Sequence, residues 1–126
     1  MIRNDWYCTY KGKEHRFGKS KNTLYYLLGD KSDVQNGFKE TDGRYIAHVG
    51  REEIENPVDI STYATYRGND FLIFAEENGQ YLLIGNTQAA RDCEFEQVRP
   101  GEWEKLVDKN DPDLEKIFEK ITPITL

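Results

Sequence analysis

The sequence predicts a mainly β protein with short helices, built from two related units in tandem. Three observations carry this. Short runs of β-branched, aromatic and aliphatic residues alternate with Gly, Asn, Asp and Pro at turn spacing. Tyr7-Cys8-Thr9-Tyr10-Lys11-Gly12-Lys13-Glu14 reads against Tyr63-Ala64-Thr65-Tyr66-Arg67-Gly68-Asn69-Asp70, 56 residues later and without a gap. Eight of the 23 positions from Tyr7 to Gly29 are identical at that offset, including Asn22/Asn78, Tyr25/Tyr81, Leu27/Leu83 and Gly29/Gly85. Unrelated segments of that length share roughly one or two.

The likeness continues with small insertions: Phe38 with Phe95, Gly43 with Gly101, Tyr45 with Trp103, Val49 with Val107, and Glu53-Ile54-Glu55 with Asp113-Leu114-Glu115. An internal duplication therefore places one unit at residues 5–60 and the other at 61–126. Asp59 to Ala64 reads as continuous strand with no Gly/Ser-rich linker, so the units are expected to pack together.

The elements follow in order. In the second unit, Tyr63 to Tyr66 is a strand closed by a Gly68-Asn69-Asp70 turn, and Phe71 to Ala75 is the next strand. Asn78-Gly79 makes a hairpin, because both residues tolerate positive φ. Tyr81 to Ile84 returns and stops at Gly85-Asn86. Thr87 to Arg91 is one helical turn; Phe95 to Val98 and Glu102 to Val107 form a second hairpin about Pro100-Gly101. The first unit repeats the plan: Tyr7 to Tyr10, Glu14 to Phe17, a Lys21-Asn22 turn, Leu24 to Leu28, a turn at Ser32 to Gln35, then Phe38 to Glu40 and Arg44 to Val49 about Asp42-Gly43. Each unit is expected to close with a short helix, Glu52 to Asn56 or a segment capped by Asp111 with Leu114, Ile117 and Phe118 on one face. Five short strands and a helical turn in some 56 residues suggest small SH3-like barrels. One such unit buries a marginal core alone.

The chain has 126 residues, a net charge of −6 and a pI near 5.0. An acidic balance argues against general nucleic-acid binding and against docking on anionic membranes. No run of about 18 apolar residues marks a membrane-spanning helix. The N-terminal residues carry no apolar signal core, and two cysteines without metal-type pairing fit a reducing cytoplasm.

No catalytic constellation stands out, and no enzyme, cofactor or metal is expected. His15 and His48 align with Phe71 and Leu106, which marks them as tolerated polar or edge positions. Cys8 aligns with Ala64 and reads as a small buried residue; Cys93 falls in an inserted loop and reads as exposed. A pocket joining a histidine to either thiol is the one arrangement that would suggest a nucleophile. Asp108-Lys109-Asn110-Asp111-Pro112-Asp113 looks like a calcium loop, but Pro112 and Asp113 stand where an EF-hand has Asp/Asn and Gly. Capping explains these acids better.

Charge is more informative. Residues 1–60 hold ten Lys/Arg and ten Asp/Glu, whereas residues 61–126 hold seven and thirteen. The whole acidic excess lies in the second unit. It is concentrated at Asp92, Glu94, Glu96, Glu102 and Glu104, then at Asp108, Asp111, Asp113, Glu115 and Glu119. Two copies of unlike charge suggest that one has specialised for a basic protein partner, against the plainer reading of a solvated face. The alternative binding surface is aromatic. Tyr7, Tyr10, Tyr63 and Tyr66 lie on strands, and partly exposed Tyr10 and Tyr66 would line a groove for a peptide or a cell-envelope fragment, against the plainer reading of core packing.

The repeated pattern Thr-Tyr-(Lys/Arg)-Gly, Tyr-x-Leu-(Leu/Ile)-Gly, the Tyr45/Trp103 strand and Glu-x-(Ile/Leu)-Glu resembles small duplicated, uncharacterised proteins of Firmicutes-type bacteria. Some proteins of this appearance accompany secreted polymorphic toxins as immunity proteins. The resemblance implies a protein-binding module that occludes a basic active site of a toxin domain. It transfers no functional residue.

Overall fold

A computed structural model describes residues 2–21 and 23–126. Asn22, half of the turn expected at Lys21-Asn22, lies outside the described residues. Eleven strands follow in order: β1 Asp5–Tyr10, β2 Lys13–Lys19, β3 Leu24–Gly29, β4 Lys39–Thr41, β5 Arg44–Gly50, β6 Glu55–Tyr66, β7 Asn69–Glu77, β8 Gln80–Gly85, β9 Glu96–Arg99, β10 Glu102–Asp108 and β11 Leu114–Pro123. Short 3₁₀ turns occupy Lys31–Asn36 and Arg51–Glu53, and one α-helical segment, α1, spans Gln88–Asp92.

The chain divides into two compact units. The N-terminal unit comprises Asp5–Ile60 and Ile121–Leu126, and the C-terminal unit comprises Ser61–Lys120 with the residues up to Asn4. The two ends of the chain are thus exchanged relative to a simple cut. Asn4 explains its share: its amide donates to Ile73 O at 2.6 Å and its carbonyl accepts from Thr62 N at 2.7 Å. At the other end, Ile124 N donates to Pro57 O at 2.9 Å.

Within the N-terminal unit the strand order is β4-β5-β3-β2-β1-β6, and within the C-terminal unit it is β6-β7-β8-β10-β9; the described ladders are antiparallel. The registers correspond residue by residue. Tyr7↔Arg16, Cys8↔His15, Thr9↔Glu14 and Tyr10↔Lys13 in one unit match Tyr63↔Leu72, Ala64↔Phe71, Thr65↔Asp70 and Tyr66↔Asn69 in the other. Leu27↔Ala47 and Tyr25↔Val49 likewise match Leu83↔Lys105 and Tyr81↔Val107. A bulge between Ile73 and Ala75 absorbs one extra residue in β7 and leaves Phe74 exposed. The first hairpins turn on Lys11-Gly12 and Arg67-Gly68, all four at positive φ, as a two-residue turn matched to strand twist requires.

Each core lies on one face of its sheet. Cys8, Tyr10, Phe17, Leu27, Phe38 and Val49 are buried in the N-terminal unit, and Ala64, Tyr66, Ile73, Leu83, Phe95 and Val107 fill corresponding places in the C-terminal unit. The segment between the third and fourth strands lies against that face and supplies Phe38 or Ala90, Cys93 and Phe95. It comes close to the third strand: a Cβ at Gly29 would collide with the Asp33 carboxylate and the Phe38 ring. At Gly85 a Cβ would stand 3.1 Å from both Ala90 and Phe71.

Three expectations are corrected. The units are not barrels. The strands form one open antiparallel sheet that ends on the short exposed strands β4 and β9, and each unit is covered by its helical turn rather than closed on itself. The helix expected at Leu114, Ile117 and Phe118 is strand β11, paired with β6. A segment of that length forms only a marginal helix, whereas β6 offers it backbone partners and Tyr63, whose ring stacks on Phe118 at 5.9 Å. The helix expected over Glu52 to Asn56 is reduced to a 3₁₀ turn, because the chain enters β6 at Glu55.

Candidate functional site

The acidic residues sort by strand parity. Ile73, Leu83 and Val107 point into the core, so Leu82, Ile84, Glu104 and Leu106 project from the opposite, outer face of the C-terminal unit. Glu104 pairs with Ile84 on β8 and with Glu96 on β9, which sets two carboxylates directly opposite each other across a strand pair. Like charges in that position destabilise a sheet, so local folding does not favour this arrangement. Glu77, Leu82, Glu94, Glu96, Glu104, Lys105 and Leu106 together line a shallow concavity of about 460 Å³. Leu106 is 59% exposed and gives it an apolar floor that water reaches.

The only lysine in that lining is already engaged. Lys105 Nζ donates to Cys93 O at 3.1 Å and lies over the Tyr66 ring at 5.2 Å. Arg67 meets Glu94 at 3.4 Å and Asp113 at 3.1 Å, and these contacts raise its already high pKa, the Asp113 hydrogen bond most. The carboxylates of Glu96, Glu104 and Glu77 make no ion pair or hydrogen bond among the described residues. The concavity is therefore a negatively charged recess with an apolar centre.

Most of the remaining acids expected at a partner surface are held by other contacts. Asp92 accepts from Gln88 Nε2 at 3.0 Å at the end of α1. Glu102 is tied to Arg99 at 2.8 Å and belongs to a second concavity, of about 480 Å³, with Asp70, Leu72, Ile84 and Thr87. Asp108 and Asp111 accept from Asn110 N and Asp113 N, both at 2.8 Å, and so shape the turn into β11. Among the described residues no group of three His, Cys, Asp or Glu is placed to hold a metal. Glu115 is exposed on β11, and Glu119 bonds Arg3 at 2.8 Å, an interaction that lowers its pKa. Glu77, Leu82 and Leu106 complete the site but were not among the expected residues.

The tyrosine groove is corrected. Tyr10 is 9% exposed and Tyr66 1%; both sit in their cores, with Phe38 at 6.1 Å and Phe95 at 6.4 Å respectively. Neither is available to a peptide. Cys93 is buried as well, contrary to its expected exposure, because α1 folds its loop onto the sheet. Burial pushes the Cys8 thiol up to about 11, which removes it as a nucleophile near neutrality. His15 is buried, stacked on Phe38 at 4.9 Å with Nδ1 3.0 Å from Leu28 O, while His48 is exposed on β5.

A family profile of uncharacterised conserved proteins, UCP033725, matches residues 2–125, essentially the full length of both units. The chain belongs to this family. No curated protein and no solved structure matches it significantly. No helix among the described residues of this family member is long and apolar enough to cross a membrane.

Proposed function

We propose that the protein is a non-enzymatic, cytoplasmic protein-binding module that acts as an immunity protein, covering the basic active site of a bacterial toxin domain. The observation that carries this reading is the recess around Glu96 and Glu104. Two unpaired carboxylates face each other, Glu77 and Glu94 flank them, and Leu82 and Leu106 supply apolar area. A substrate-binding cleft that handles phosphates is rich in Lys and Arg, and a preformed acidic sheet face complements it in charge without reordering. The matched registers of the two units support an origin by duplication, after which the outer faces diverged.

The test is neutralisation of the polymorphic toxin domain encoded beside its gene. Co-expression is expected to restore growth, and the purified pair is expected to associate faster at low salt. The triple reversal E77K/E96K/E104K is expected to weaken that association at least about tenfold while the fold persists. Unchanged affinity of the reversed variant sinks the site assignment, and failure of the intact protein to protect sinks the immunity role.

A further inference from the structure

The outer face of the N-terminal unit is built on strands equivalent to those of the acidic face, and at two equivalent positions a cation stands where the C-terminal unit has a carboxylate: Lys39 for Glu96 and Arg44 for Glu102. Lys39 pairs with Ile46 as Glu96 pairs with Glu104, and Arg44 stands before Tyr45 as Glu102 stands before Trp103. Arg16 takes the place of Leu72. Asp5, Arg16, Leu28, Arg44, Ile46 and His48 line one concavity of about 420 Å³. Arg16 Nε meets Asp5 at 3.5 Å, and the side chains of Lys39 and Arg44 make no ion pair or hydrogen bond among the described residues. Thus one unit presents Arg44 and Lys39, with the Arg16–Asp5 pair beside them, around the aliphatic Leu28 and Ile46, and its counterpart presents carboxylates around the aliphatic Leu82 and Leu106.

We propose that the protein associates with a second copy of itself, the basic face of one copy's N-terminal unit meeting the acidic face of the other's C-terminal unit. The proposal uses the acidic face identified above but not its assignment to a toxin. Complementary charge selects this pairing over like with like, since acidic on acidic or basic on basic sets equal charges together. The net charge of −6 does not forbid it. At physiological salt, charges more than about 8 Å apart are largely screened, whereas paired side chains in a closed contact are screened much less. Each copy holds both halves of the contact, so the acidic recess would be covered by another copy until a partner of higher affinity displaces it.

Sedimentation and light scattering of the full chain at graded salt test this. The expected result is a mass above the 14.7 kDa monomer at low salt, with the association weakening at least about tenfold at high salt. The variants K39E/R44E and E96K/E104K are each expected to be monomeric, and an equal mixture of the two to associate, because one retains the acidic face and the other the basic face. Recovery on mixing also shows that both variants are folded. A monomer at every salt concentration overturns the proposal, as does association that neither variant weakens. Toxin neutralisation is read separately, so a failure there does not imitate a failure here.

Discussion

The two units share a strand order and a register, yet they fill the space beneath the third strand differently. In the N-terminal unit Asp33, 1% exposed, accepts Asp30 N at 2.8 Å and Lys13 Nζ at 3.0 Å. Beside it the His15 ring stacks on Phe38. In the C-terminal unit Ala90 is fully buried on the corresponding turn, Phe71 replaces the histidine, and Asn69 stands where Lys13 stood. One solution is a polar network that fixes the turn by directed bonds; the other is a close apolar fit, with Phe71 and Phe95 centroids 4.5 Å apart. The difference teaches that strand pairing, with the aromatic residue that follows the turn, specifies the unit. The interior beneath the turn tolerates either solution if every polar group finds a partner.

The largest expected effects break that shared aromatic element. Phe38→Ala and Phe95→Ala should each cost about 3–5 kcal/mol, read from denaturant midpoints at constant slope. If either costs less than about 1 kcal/mol, the aromatic position does not anchor its unit. A crosswise exchange comes next. Ala90→Asp puts a carboxylate in a buried site where no lysine stands at the Lys13 position, and a cost of about 2–5 kcal/mol is expected. Asp33→Ala removes a carboxylate whose Lys13 partner is 45% exposed and can return to water, so about 1–3 kcal/mol is expected. Equal costs for the two would remove the distinction between a polar and an apolar solution.

Much of this was legible in the sequence because hairpins are local. Asn78-Gly79 and Asp42-Gly43 turn with positive φ where the sequence places them, the turn expected at Gly68-Asn69-Asp70 falls at Arg67-Gly68 because Asn69 and Asp70 already pair in β7, and the offset of 56 aligned residues that pair in equivalent registers. The fate of Leu114 to Pro123 was not legible, because its strand conformation depends on β6, half a chain away in sequence. Sheet closure was hidden for the same reason: nothing local says whether β4 or β9 finds another strand. The acidic excess was visible as a count, but a count does not separate Glu96 and Glu104, which face outward together, from Asp108 and Asp111, which cap a turn. Parity about Val107 holds that information. Applied to β8 and β10 it selects Leu82 and Leu106 as outward apolar residues.

The smallest expected effect concerns acid. Glu76 is held by Lys109 at 2.7 Å and Glu119 by Arg3 at 2.8 Å, both within the C-terminal unit, and each carboxyl lies below its ordinary value of 4.5 chiefly through that hydrogen bond. In the N-terminal unit Asp30 lies below its ordinary 3.8, through Ser32 first and Lys13 second. A carboxyl lowered in the folded state contributes stability that is fully present above its unfolded value and is lost as pH falls through its folded value. Melting temperature should therefore be flat in weakly acidic buffer and decline as pH drops below about 4.5, where the unfolded chain begins to take up protons the folded chain refuses. All three pairs are exposed enough for salt to screen them, so added salt should shrink the decline. Glu76→Gln with Glu119→Gln should lower stability slightly near neutrality and remove part of the acid dependence; Asp30→Asn should act on the N-terminal unit alone. An acid limb that is unchanged in the doubly substituted protein would show that these bridges do not tie Lys109 and Arg3 down in solution. The ends of the C-terminal unit would then be held by Asn4 and the β6–β11 pairing instead.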